Sequence, residues 1–569
     1  MKNRLTLAVT LAGFALGLAN RANASGWTAV SPAPGGVSTM MLLSDGTVMA
    51  QAGGGTGWYR LTPDSAGHYY DGTWTSDINP MTYSRTYFAS DILQNGKVFV
   101  AGGELSGSSS ANGTAWVEIY DPVANSWTDY GPAYFGGMAD AESVVLKNGQ
   151  VLVNPQASSG YGADTFVFNP ADGSFTAKAP LNSLSESCWV KMPDDSILTV
   201  DSDRSVYGAY TSEKYVPGGA GGWVNASSTL LPVSIWATFP VGRIVGETGP
   251  AFLLPNGNAI FFGGTGHTAI YVASSATWIA GPDIPNGQVS ADAPGAMMVN
   301  GKILLCVCAP LSDNADPNNP SDWPVPVSFY EYDYSVGATG AFTRLNSTDN
   351  VSLTRNDRSY PCRMLDLPDG TVLFTDGGSQ LYVYQPDSGA LAAGRPTINS
   401  ITWNNNGSLH LTGTLFNGIS EGAAYGDDQQ MATDFPLVRF TDGSGNVSYG
   451  RTYNWSSTSV QTGGQIMSTE ATLPPGIFPG NYSVQVVANG NASAPVAFYS
   501  PVWVDFNYYS FFNFYFGWYI YPDNTLASGV STVANGGTIA IKSSNSHETM
   551  TISKPMTIIS VSGAATIGH

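Results

Sequence analysis

Apolar runs only a few residues long alternate with polar turn residues along most of the chain, a period that predicts strands joined by tight turns rather than helices. A short apolar strand, an Asp-Gly or Asn-Gly turn and a second apolar strand recur seven times. The turns are Asp45-Gly46, Asn95-Gly96, Asn148-Gly149, Asp194-Asp195 with Ser196 in the glycine position, Asn256-Gly257, Asn300-Gly301 and Asp369-Gly370. Their second residues lie 50, 53, 47, 61, 44 and 69 positions apart, so a constant unit carries loops of variable length. Asn-Gly and Asp-Gly suit the positive φ angles of two-residue hairpins.

Each unit continues with glycine pairs such as Gly102-Gly103, Gly263-Gly264 and Gly377-Gly378, then an aromatic strand and often Pro or Trp, as in Tyr120-Asp121-Pro122 before Trp127. This pattern resembles the kelch repeat, a four-stranded blade. The resemblance implies a seven-bladed β-propeller over residues 25–394, because single hairpins cannot bury their faces alone.

Beyond Arg395-Pro396 the turn spacing changes, and alternating strands over 395–505 predict a β-sandwich. The blocks YGDDQQMATDFPLVRFTD and RTYNWSS resemble the immunoglobulin-like domain that follows the propeller in galactose oxidase-like proteins. Residues 506–569 are different again. Eleven of the sixteen residues from Phe506 to Tyr521 are aromatic and none is charged, which predicts an interface strand or adhesive patch. The segments that follow resemble the opening coil of a right-handed parallel β-helix. The fold class is therefore all-β: propeller, sandwich and a β-helix-like remnant.

Composition sharpens the setting. The 569 residues include 66 Gly and 35 Pro, which leaves little room for long helices, and 11% charged side chains. Forty-two acids against 22 bases give a charge of −20 with no basic cluster, which argues against nucleic acid. Lys2 and Arg4 precede an apolar run from Leu5 to Leu18, and Ala22-Asn23-Ala24 forms an A-x-A ending, so 1–24 reads as a cleavable signal peptide and the protein as secreted or surface-held. No apolar run after it is long enough for a membrane-spanning helix. Cys188, Cys306, Cys308 and Cys362 are too few for a disulfide scaffold, and no CxxC or histidine cluster predicts a zinc site. Cys188 and Cys362 each lie eight positions before a turn's second residue, which makes them equivalent buried fillers.

The resemblance to the galactose oxidase and glyoxal oxidase group covers residues 27 to about 505, and it implies where a copper-radical centre would sit. Those enzymes hold copper with two histidines and two tyrosines, one cross-linked to a cysteine. The segment MTYSRTYFASDILQNGKVFVAGG places the cross-linked tyrosine at Tyr87, but the matching stretch one blade earlier, Gly35 to Thr39, has no cysteine. RSYPCRMLDLPDGTVLF keeps the axial tyrosine as Tyr360, followed by Pro361 instead of histidine. The second histidine would come from a sandwich hairpin reaching toward the axis. The matching stretch, Arg451 to Trp455, puts Trp455 there. None of the five histidines, at 68, 267, 410, 547 and 569, falls on these motifs.

Tyr87, Tyr360, Trp455 and His267, the last in a loop of blade five, are the candidate binding residues; no metal or other cofactor is expected. Asp427, Asp428 and Asp434 form an acidic stretch that reads as a solvated loop rather than a Ca²⁺ site, since EF-hand spacing is missing. The expected function is non-catalytic binding of extracellular glycans or cell-surface polymers, on which aromatic rings stack. The alternative is an oxidase of the galactose or glyoxal oxidase type.

Overall fold

The protein is described by a computed structural model over residues 25–568, apart from 105–113, 134–137, 155–164, 183, 185–186, 203–209, 220, 235–247, 312–322, 346–356, 427–428, 512–514 and 562. The expected leader at 1–24 and the acidic residues Asp427 and Asp428 lie outside the described residues.

The recurring hairpins build seven antiparallel sheets. Blade two is typical: Ala89–Ile92, Val98–Ala101, Trp116–Asp121 and Ser126–Pro132 pair in sequence order, the first strand innermost. Six blades take their four strands from consecutive chain. Blade seven takes three, from Arg363–Asp366 to Tyr382–Gln385, and its outer strand is Gly26–Ala29 from the start of the described chain, so the two ends of the ring are sewn together by hydrogen bonds.

The turn residues explain why the unit repeats. Gly46, Gly96, Gly149, Gly257, Gly301 and Gly370 all have φ between 76° and 86°. In blade four the left-handed residue is Asp195, at φ 65°, not Ser196. The Asp195 N–H closes the turn onto the Met192 carbonyl as Gly46 closes onto Leu43. Aspartate tolerates this backbone better than most residues, and the shift of one position makes Ser187, rather than Cys188, the counterpart of Cys362. Behind the turns, Gly103 donates to the Met138 carbonyl of the next blade, and a Cβ on Gly103 would meet Arg85 at 2.6 Å. That arginine is fully buried in an ion pair of 2.6 Å with Glu118, and its guanidinium also donates to the Gly102 and Trp116 carbonyls.

The second unit is a two-sheet sandwich. One sheet runs through Thr397–Trp403, Leu409–Thr414, Met467–Ala471 and Thr452–Tyr453, the other through Val447–Gly450, Leu437–Asp442, Gly480–Ala488 and its neighbours. Leu409, Leu411, Val438, Phe440, Val484 and Val486 fill the space between them. The chain ends in a parallel stack, Val502–Val504, Thr538–Lys542 and Thr557–Val561, with the short helix Leu526–Thr532 packed on it.

One sandwich hairpin leaves its own unit. Gly422–Tyr425 and Gln429–Ala432 add to blade six as fifth and sixth strands, with Pro294 opposite Tyr425 and Ala296 opposite Ala423. Gly422–Tyr425 pairs with the innermost strand, Pro294–Met297, and Gln429–Ala432 pairs on the other edge of Gly422–Tyr425, so the hairpin occupies the propeller axis. Glycine and alanines suit that position because seven inner strands leave a narrow channel.

Candidate functional site at the propeller axis

Each innermost strand begins at one end of the channel and finishes at the other. Tyr87, Asp140 and Asp292 occupy the same place in blades two, three and six, two residues before the innermost strand. All three have left-handed backbone, at φ 48°, 39° and 42°. Such angles are uncommon for non-glycine residues, above all for a bulky tyrosine, and they cluster where side chains must be aimed at a particular point.

At this mouth the hairpin from the sandwich delivers Tyr425, whose hydroxyl donates to the Tyr360 carbonyl at 2.7 Å. Arg363, the first residue of the innermost strand in blade seven, lies on the Tyr425 ring and beside that of Tyr87, the two rings being 6.2 Å apart. Its guanidinium carbon is 3.4 Å from the Tyr425 ring centre and 5.3 Å from that of Tyr87. Arg363 Nη1 donates to the Tyr360 carbonyl at 2.6 Å and to the Cys362 carbonyl at 2.8 Å. Trp323 meets the Tyr360 ring edge-on at 5.2 Å. Burial pushes the Asp292 carboxyl up to about 6, against the opposing pull of the Tyr425 hydroxyl and Arg363, and Glu104 adds further negative potential. Tyr425 and Arg363 are buried and form the floor, while Tyr87, Glu104, Asp292 and Tyr360 are half-buried around it.

The structure thus brings Tyr87 and Tyr360 to one place and adds Tyr425, Arg363, Asp292, Glu104 and Trp323, which the sequence reading missed. Tyr425 and Arg363 had no signal beyond an aromatic after a small-residue run and an arginine three positions past Tyr360. Asp292 had one, its equivalence to Tyr87 once the blades are aligned.

Trp455 goes elsewhere, and the hairpin that enters the axis is 422–432 rather than 451–455. Trp455 stacks on Phe435 at 4.8 Å and 3°, its indole N–H donates to Thr452 Oγ1 at 3.1 Å, and its backbone N–H donates to the Gln94 carbonyl at 3.1 Å. Gln94 follows the innermost strand of blade two, so Trp455 is buried at the opposite end of the blades from Tyr87. His267 pairs with Asp283 at 2.8 Å on the surface of blade five. His410 pairs with Glu470 at 2.9 Å in the sandwich, and His68 stacks on Tyr70 at 5.1 Å.

The base of the inserted hairpin is polar and closed. Lys191 of blade four contacts Asp434 at 2.6 Å, and its backbone N–H donates to Glu421 at 2.9 Å. Burial works against the Lys191 charge, but Asp434 and Glu421 outweigh it and hold its pKa above the usual lysine value. Asp434 is therefore a buried ion-pair partner rather than part of a solvated loop. Burial raises Glu421 to about 7 and Asp91, on the innermost strand of blade two, to about 8. The four cysteines are buried as thiols, none of them in a disulfide. Among the described residues no group of three or more His, Cys, Asp or Glu side chains is placed to hold a metal ion.

A kelch motif model matches residues 85–132, which span blade two and the segment leading into it. That match falls on one of the seven repeated sheets. No curated protein matches the chain. A fungal alcohol oxidase of the AA5 family, solved in complex with copper, is 14% identical with a TM-score of 0.49, over 84% of this chain and 99% of that one. YjhT is 14% identical with a TM-score of 0.36 over 55% of this chain and 99% of its own. The extracellular domain of BT4673 from B. thetaiotaomicron is 11% identical with a TM-score of 0.40, over 70% of this chain and 47% of that chain. None of these likenesses assigns a role to a residue here.

Proposed function

We propose that this chain is an exported binding protein that takes a carbohydrate at the mouth of its propeller axis and performs no copper chemistry there. The observation that carries the reading is the Arg363 guanidinium seated on the Tyr425 ring and beside Tyr87. A guanidinium stays charged at any physiological pH. It supplies the positive charge that a metal would bring, and it repels a second cation. Copper also needs nitrogen or phenolate donors converging at about 2 Å, whereas the Tyr425 hydroxyl is already donating to Tyr360 and the three histidines described above are held elsewhere.

A sugar suits the same residues. Ring faces stack on its C–H surfaces, while the half-buried carboxylates of Asp292 and Glu104 accept from its hydroxyls. The test combines metal analysis of the purified protein with a glycan array. We expect less than stoichiometric copper, and glycan retention that Tyr87→Ala and Glu104→Gln each weaken about tenfold, the effect of losing one well-made contact. Stoichiometric copper with hydrogen peroxide release from an alcohol would establish the oxidase instead, a reading that draws on Tyr87 and Tyr360 meeting at one mouth. Retention of no glycan would remove the carbohydrate.

A further inference from the structure

The aromatic segment near the C-terminus forms a second surface, unrelated to the propeller axis. Its base is fixed. The Trp503 N–H donates to the Gly517 carbonyl at 2.8 Å, and the Asp523 N–H donates to the Trp503 carbonyl at 2.9 Å. Trp503 is buried and meets the Tyr519 ring edge-on at 4.8 Å, while the Tyr519 hydroxyl donates to the Asn406 carbonyl of the sandwich at 2.9 Å. The Phe516 and Trp518 N–H groups both donate to the Tyr521 carbonyl, which closes a tight loop. Trp518 stacks on Phe516 at 4.8 Å and meets Phe478 of the sandwich at 4.6 Å.

From this base the rings project outward. Tyr509 is 78% exposed, Phe511 81%, Ile520 59% and Phe478 50%. Among the described residues six aromatic side chains are 37% exposed or more, and all but Tyr130 belong to this segment or to Phe478 beside it. Keeping such a patch in water is unfavourable, so a monomer that retains one generally uses it.

We propose that this patch seats the protein on a zwitterionic lipid surface, with Tyr509, Phe511, Phe516 and Ile520 entering the headgroup boundary. Three observations choose that occupant. First, the side chains protrude, whereas a sugar platform needs a flat or concave face, and the most exposed ring is a phenylalanine with nothing to offer a hydroxyl. Second, no residue from 506 to 521 is charged, and tyrosine and tryptophan sit well where hydrocarbon meets headgroup. Third, the chain carries −20, which opposes anionic lipid and leaves a headgroup without net charge as the complementary surface. Among the described residues no helix is long and apolar enough to cross a membrane, so the contact lies on the surface rather than through it.

The test is co-sedimentation of the full chain with phosphatidylcholine vesicles, beside vesicles that also contain phosphatidylglycerol. Phe511→Ser with Phe516→Ser is the variant, and Val123→Ser with Leu181→Ser, which removes two exposed apolar side chains from the propeller, is the control. All chains carry the same apolar run at 5–18, so the difference between them reports the patch. We expect partition onto phosphatidylcholine that high salt leaves unchanged, a loss of about tenfold in the double phenylalanine variant, consistent with removing two interfacial rings, and no loss in the control. The proposal is overturned if wild type stays in the supernatant, if the phenylalanine variant sediments like wild type, or if binding needs phosphatidylglycerol and weakens with salt. It is equally overturned if the variant's effect is instead to turn a dimer into monomers by light scattering, or to abolish retention on an insoluble polysaccharide without changing partition.

Discussion

Tyr87 combines two demands that seldom meet in one residue, a left-handed backbone at φ 48° and a large ring facing Arg363. Its counterparts in blades three and six are aspartates, which accept this conformation more readily. Tyr87→Val should therefore cost more than loss of the ring, because a β-branched residue is poorly suited to that φ. We expect a loss of about 2 to 3 kcal/mol for valine against about 1 kcal/mol for Tyr87→Asn in chemical denaturation. Equal losses would mean that the backbone here is relaxed. Arg85 and Glu118 pose a simpler question, since both are fully buried and each completes the other. Glu118→Ala should cost about 3 to 5 kcal/mol, as expected when one member of a buried pair is stranded. A change within experimental error in the denaturant midpoint would refute this.

What the sequence revealed at this scale was local. The seven turns were readable because Asn-Gly and Asp-Gly encode a backbone angle in the residue itself, and they failed by one position only in blade four, where aspartate does glycine's work. Tyr87 and Tyr360 were readable only through the resemblance of MTYSRTYFASDILQNGKVFVAGG and RSYPCRMLDLPDGTVLF to the copper-ligating blades of galactose oxidase-like proteins. Arg363, Asp292 and Tyr425 meet only when blades two, six and seven and the inserted hairpin close on one point, and no spacing along the chain records that closure.

The inserted hairpin is the element that makes the propeller and sandwich interdependent. At its base Lys191, Glu421 and Asp434 share a buried charge network, and Asp91 lies close enough to feel it. Two raised carboxyls set the pH response. Asp91 and Glu421 have folded pKa values of about 8 and about 7, above the ordinary carboxyl range, so between about pH 4 and 8 the folded state holds protons that the unfolded state has released. Stability should therefore fall as pH rises through that window, by on the order of 1 kcal/mol per pH unit for each proton retained. Thermal melting should show a higher midpoint near pH 5 than near pH 8, and Asp91→Asn should flatten the slope. A midpoint that rises toward pH 8 would show that Asp91 is ionised throughout. Lys191→Met would leave Asp434 and Glu421 without their cation, and we expect it to destabilise the protein at both pH values.

For the whole molecule, the hairpin turns that define the blades also form the floor on which the sandwich rests. A Cβ on Gly46 would sit 2.6 Å from the Tyr449 ring, and one on Gly96 would sit 2.8 Å from the Thr452 carbonyl. The glycines are thus required twice, for their φ angles and for the close approach of the second unit. Trp455 is a second aromatic in that contact, buried between Phe435 and the end of blade two. Removing it leaves a cavity in an interface that both units share, so Trp455→Ala should cost about 3 to 5 kcal/mol. The loss should appear as a lower melting midpoint and as faster cleavage by protease between residues 390 and 400, where the chain passes from propeller to sandwich. Because Trp455 lies at the far end of the blades from Tyr87, the same variant should leave glycan retention at the mouth intact below its melting temperature. Undiminished protease resistance would show that the inserted hairpin alone holds the two units together. Lost retention would show that the mouth is shaped by how the sandwich is seated, and not by the seven blades themselves.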